Sequence, residues 1–162
     1  MNMKAASLKE IKTALQDCDV DQLTEFCLRL VKFKKENKEL ITYMIFESSD
    51  EEAYVNAVKA EVASQFETVS KGHVFFAKKT LRKILRYVNR QSRYSGVDRS
   101  ELELRVFYCL QMIENGIAIN KGTVVYNLFQ QQVKKIETLI AKLPEDLQYD
   151  YAHDIKKLKK IK

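Results

Sequence analysis

Residues 74–116 read VFFAKKTLRKILRYVNRQSRYSGVDRSELELRVFYCLQMIENG, and this stretch decides the fold. In its first half Val74, Ala77, Leu81, Ile84 and Val88 return at the spacing of one face of a helix running from about His73 to Tyr94. Gly96 is a natural C-terminal stop. A second helix starts at Asp98-x-x-Glu101 and carries Leu102, Leu104, Val106, Phe107, Cys109, Leu110, Met112 and Ile113. These cover more than one face, and a helix apolar on most sides is packed on most sides, so this helix is expected at the centre. Asn115-Gly116 ends it.

The same grammar extends in both directions. Upstream, Ser7-x-x-Glu10 has the form of a capping box and opens a short helix with Leu8, Ile11 and Leu15 inward. Asp19 or Asp21 caps a helix whose apolar positions are Leu23, Phe26, Cys27, Leu30 and Val31. Asn37 is expected to cap a third helix, from Leu40 to Phe46. Ser49-x-x-Glu52 opens a fourth that buries Val55, Val58, Val62, Phe66 and Val69. Downstream, a helix near Thr123 to Leu143 presents Gln130, Gln131 and Gln132 on its polar side. Pro144 stands at the first turn of the last one. The expectation is an all-α protein of seven or eight helices, arranged as stacked antiparallel hairpins in an irregular solenoid or a compact bundle. No fixed-period repeat is present, which argues against a regular array.

Composition agrees. Four glycines and one proline in 162 residues are too few for the many turns of an all-β fold. Apolar residues make up 46% and charged residues 31%, as in an ordinary globular domain. The length suits a single domain over residues 1–162, with a basic tail from about residue 155. Three cysteines, at 18, 27 and 109, form no disulfide framework and suit a reducing, cytoplasmic setting. Cys27 and Cys109 fall on apolar faces and read as buried core residues. No apolar run is long enough to span a membrane.

The charge is local. Residues 68–97 hold eight basic side chains and no acidic one, so a chain of net charge +6 is slightly acidic elsewhere. On a helical wheel Lys79, Arg82, Lys83, Arg86, Arg90 and Arg93 share one face, opposite the apolar one, with Tyr87 and Tyr94 at its edge. The i, i+4 pairs Lys79/Lys83, Arg82/Arg86 and Arg86/Arg90 repel, at a cost of a few tenths of a kcal/mol each. Something must offset this: acids from elsewhere in the fold, or an external anion. Arginine forks match phosphates and carboxylates and stack on aromatic rings or bases. The expected role is therefore non-enzymatic binding of an anionic partner, a nucleic-acid backbone or an acidic protein surface. Tyr87 and Tyr94 are candidate stacking neighbours. One alternative is a scaffold or homo-oligomer whose stripe is paired internally. Another is an enzyme on a phosphorylated small molecule, with the arginines as phosphate clamps and His73 as base.

Catalytic signatures are lacking. Glycine-rich phosphate loops and a GxSxG elbow do not occur. Asn120-Lys121-Gly122-Thr123 reads as a capped helix start. Asp150 and His153, at i, i+3 on a helix, are too few for a metal site, and no cofactor or metal is expected. The stretch LTEFCLRLVKFKKENKEL at 23–40, followed by Tyr43, Phe46 and an acidic helix start, resembles small all-helical bacterial proteins with no assigned activity. That likeness covers about residues 7–67 and implies a bacterial, cytosolic, helical protein. It transfers no site.

Overall fold

The computed structural model describes residues 4–70 and 74–161. They contain nine α-helices and no strand. The fold is all-α, with one helix more than the larger expected count. The extra helix arises at Tyr151, whose N–H turns to the Gln148 carbonyl three residues back (3.3 Å). The segment after Pro144 therefore divides into two helices. Where length suggests one domain, the contacts cluster in two compact units, Met1–Ile45 and Phe46–Lys162.

The first unit holds α1 (Leu8–Gln16), α2 (Val20–Phe33) and α3 (Lys35–Thr42). Its caps follow local chemistry. The Ser7 hydroxyl accepts from the Glu10 N–H while the Ser7 N–H donates back to the Glu10 carboxylate, 2.7 Å away. Asp19 and Gln22 do the same for α2. The Ser7 hydroxyl, and then the Ser7 N–H, donate to the fully exposed Glu10 carboxylate and hold it below its ordinary range. Lys34, in extended geometry, breaks the chain between α2 and α3. Asn37 is not a cap: it lies inside α3, and its amide donates to the Leu30 carbonyl at 2.8 Å. Beyond Thr42 the chain runs in π-helical geometry from Tyr43 to Glu47. The expected inward faces of α1 and α2 are corrected by the structure. Leu8, Ile11, Leu15, Phe26, Cys27 and Leu30 are exposed, and no residue of α1, α2 or α3 is buried. Periodicity shows that a face is apolar; it does not supply what covers it.

The second unit holds α4 (Glu51–Glu67), α5 (Val74–Ser95), α6 (Asp98–Glu114), α7 (Val124–Ile140), α8 (Glu145–Asp150) and α9 (Ala152–Lys159). Asp50, not Ser49, caps α4 by accepting from the Ala53 N–H at 3.0 Å. Val55, Val58, Val62, Phe66 and Val69 are buried as their spacing predicts. The central helix is α6, which packs against α4, α5, α7 and α9. Leu102, Leu104, Val106, Tyr108, Cys109 and Met112 on it are buried. This arrangement is a bundle around one helix, unlike a solenoid, where each unit touches only its neighbours.

Among the described residues one charge lies in this core. Arg105 is 4% exposed; its Nε donates to Glu101 at 2.8 Å and its Nη1 to the Gln132 side chain at 2.6 Å. A buried guanidinium persists only when paired and hydrogen-bonded, and Gln132 supplies part of that. Gln132 is thus buried, a correction to its assignment to the polar side of α7. The lysine-rich end is also fastened. Leu158 is 1% exposed, Lys159 pairs with Glu137 at 2.7 Å, and Lys157 with Glu114 at 3.6 Å.

Of the cysteines, Cys109 is buried as expected, and Cys27 is exposed. Burial pushes the Cys109 thiol well above its ordinary value, with Arg105 opposing. Above that ordinary value of 9.0 the unfolded chain releases this proton and the folded chain keeps it. Stability is therefore full below about pH 9 and falls as pH rises beyond it. In urea titrations from pH 8 to 11, Cys109→Ala is expected to flatten this fall by about 1.4 kcal/mol per pH unit. Equal slopes in the two proteins would show that the thiol titrates freely in the native state.

Candidate anion-binding face

Two sets of contacts set the orientation of α5. Leu81, Ile84, Leu85, Val88 and Ser92 form its buried side, and the helix packs against α4 and α6. The Tyr108 hydroxyl on α6 donates to the Leu81 carbonyl at 3.1 Å. The Tyr54 hydroxyl on α4 lies 2.6 Å from the Gln91 side-chain oxygen. At the C-terminal end the Ser95 hydroxyl bonds the Glu51 carboxylate. There Gly96 adopts φ +66°, which favours glycine, and its N–H caps the Ser92 carbonyl at 2.9 Å. These anchors prevent α5 from rotating, so its opposite face is presented in a fixed way. Tyr54 and Gln91 were missed in the sequence; Tyr54 sits in register with Val58, the one signal that it faces inward.

Lys79, Arg82, Lys83, Arg86 and Arg93 are exposed on that opposite face. None of the five has an ion pair among the described residues. The salt bridges that are formed, such as Lys142 with Asp98 at 3.3 Å, involve other cations. From residue 79 to residue 93 the stripe spans about 21 Å at 1.5 Å per residue, the axial length of roughly six base-pair steps. Arg93 lies in the last turn, where the helix dipole favours a cation. The stripe is not uniform. Arg90 is half-buried, with its guanidinium 5.8 Å from the centre of the Tyr87 ring. Tyr87 and Tyr94 are half-buried as well. Part of each ring is thus withdrawn from stacking, and Tyr87 already faces a cation.

The remaining sequence candidates separate. His73 lies outside the described residues. Asp150 and His153 fall on different helices, α8 and α9, so the single-helix i, i+3 geometry does not form. No group of three His, Cys, Asp or Glu side chains among the described residues has metal-binding geometry. Thr123 caps α7, accepting from the Tyr126 N–H at 3.1 Å, so Asn120 to Thr123 is a helix start. A groove on α6 brings Lys59, Arg99, Glu103, Asp150 and Tyr151 together. Its charges are spoken for in part, since Lys59 pairs with Glu103. Burial, and then Glu103, raise the Tyr151 phenol above its ordinary value, so it is protonated at neutral pH. Among the described residues no helix is long and apolar enough to cross a membrane. No protein family, curated protein or solved structure matches the chain.

Proposed function

We propose that the chain is a non-enzymatic binding protein that docks the phosphate backbone of a nucleic acid on the basic face of α5. One observation carries the reading: five exposed cations in a row, with no ion pair among the described residues, on a helix whose other side is anchored. Folding leaves their mutual repulsion uncompensated, and a polyanion relieves it. Phosphates are favoured over carboxylates by the length of the stripe and by its arginines, whose planar forks take two phosphate oxygens at once. Backbone contacts of this kind position a protein without reading sequence. The half-buried tyrosines add little base stacking.

The test is fluorescence anisotropy with labelled RNA, labelled DNA and a polyglutamate peptide, across a salt series. With about four phosphates neutralised, affinity is expected to fall roughly 100-fold between 50 and 200 mM salt. RNA and DNA of different sequence should bind within a few-fold of one another. Binding of polyglutamate alone would move the partner to an acidic protein surface. No binding of any of the three at low salt would sink the reading.

A further inference from the structure

The first unit carries an apolar stripe that its own helices leave open. On α2, Phe26, Leu30 and Phe33 recur at i, i+4 and i+7 and are 44%, 58% and 76% exposed. With Arg29 they line a shallow groove. Beside them Leu23 and Val31 are half-buried, and α2 packs on α3. So α2 is partnered on one side and bare on the next.

The charges of α2 all lie to one side of this stripe, with Arg29 at its edge and the others further round. With Phe26 at zero on a helical wheel, Arg29 falls near −60°, Glu25 near −100°, Lys32 near −120° and Asp21 near −140°. The two acids occupy the N-terminal half of α2 and the two bases its C-terminal half. All four are exposed and make no ion pair among the described residues.

We propose that this face is where two copies of the chain meet, through their α2 helices packed antiparallel about a two-fold axis. The charge pattern selects the occupant. A two-fold that reverses helix direction lays the same flank of both helices side by side. Glu25 of one copy then comes within reach of Arg29 of the other, once in each half of the interface, while Asp21 and Lys32 lie further round, toward solvent. Parallel pairing brings opposite flanks together and leaves Arg29 and Glu25 without counterparts. The apolar stripe supplies the buried centre and the charges the rim, as in protein interfaces generally. The midpoint of α2 lies between Phe26 and Cys27. Pairing in full register therefore places the two exposed Cys27 thiols around the axis, on helices about 8–10 Å apart. This inference rests on the first unit alone and does not depend on the anion-binding reading.

The test uses the full chain in sedimentation experiments over a concentration series, with circular dichroism as a folding control. Wild type is expected to dimerise, and a short bismaleimide to link it through Cys27 in a Cys18→Ser background. Arg29→Glu should weaken the dimer about tenfold, because the two-fold axis counts each change twice. Adding Glu25→Arg to Arg29→Glu should restore the affinity to within about threefold, since the swapped flank is again complementary. Leu30→Glu should give a folded monomer. A monomer at every concentration overturns the proposal, including one in which Cys27 resists alkylation because the same chain covers it. A dimer that the charge swap fails to restore overturns the antiparallel assignment.

Discussion

Replacing Arg82, Lys83 and Arg86 together by glutamate is expected to lower affinity for RNA and DNA by at least about 100-fold, and to reduce the slope of log affinity against log salt by roughly three. These three positions are chosen because they are exposed and bear on nothing inside the fold. Arg90 is left alone, since it is half-buried beside Tyr87 and its loss would disturb packing. The substituted helix should be no less stable than the original. Its i, i+4 relations with Lys78, Lys79 and Arg90 change from repulsive to attractive, a gain of a few tenths of a kcal/mol per pair. Unchanged circular dichroism with lost binding would therefore isolate the face from the fold. Unchanged binding would remove α5 from consideration.

The largest expected effect on stability is at Tyr108. Its ring is fully buried, 5.5 Å from that of Phe66 at a tilt of 57°, and its hydroxyl reaches the Leu81 carbonyl. One side chain thus joins α4, α5 and α6. Tyr108→Ala removes the ring, the aromatic pair and the hydrogen bond, and leaves a cavity in a rigid bundle. The expected cost is about 4–5 kcal/mol. A unit the length of Phe46–Lys162 has a total stability on the order of 10 kcal/mol, so the variant should unfold at a much lower urea midpoint, with an unchanged denaturant slope. Tyr108→Phe separates the contributions, losing about 1 kcal/mol for the hydroxyl alone. It should bind nucleic acid as wild type does, because α5 keeps its apolar anchorage. A cost below about 2 kcal/mol for Tyr108→Ala would mean that the core repacks freely around the gap.

Legibility in the sequence followed the range of the interactions. Ser7, Gly96 and Thr123 act within three or four residues of themselves, and their roles could be read directly; Asp19 acts at the same range and was one of two candidates, with Asp21. The central place of α6 was legible because apolar residues on several faces demand several neighbours. Asp50 was missed beside Ser49 because adjacent polar residues compete for the same N–H groups, and backbone geometry decides between them. Gln132 was missed because its partner, Arg105, lies 27 residues away; in isolation an amide on a helix reads as solvent-facing. The open stripe of α2 looked like core because amphipathicity is the same whether the covering surface belongs to the same chain or to another. The basic face was legible as a cluster. That Lys79, Arg82, Lys83, Arg86 and Arg93 form no ion pair among the described residues became visible only when the acids had positions.

The bond between Arg105 and Gln132 also has a history in time. During synthesis α6 leaves the ribosome after α4 and α5 but before α7. Its guanidinium has Glu101 on its own helix from the start, but the Gln132 amide that completes its set is 27 residues further on, about 1–5 s at ordinary elongation rates. Helices pair far faster than that, so α4, α5 and α6 have time to collapse while the side of α6 that will meet α7 stays wet. A charged arginine on that waiting surface keeps it hydrated and discourages it from sticking to other nascent chains, until Gln132 arrives and the surface is sealed.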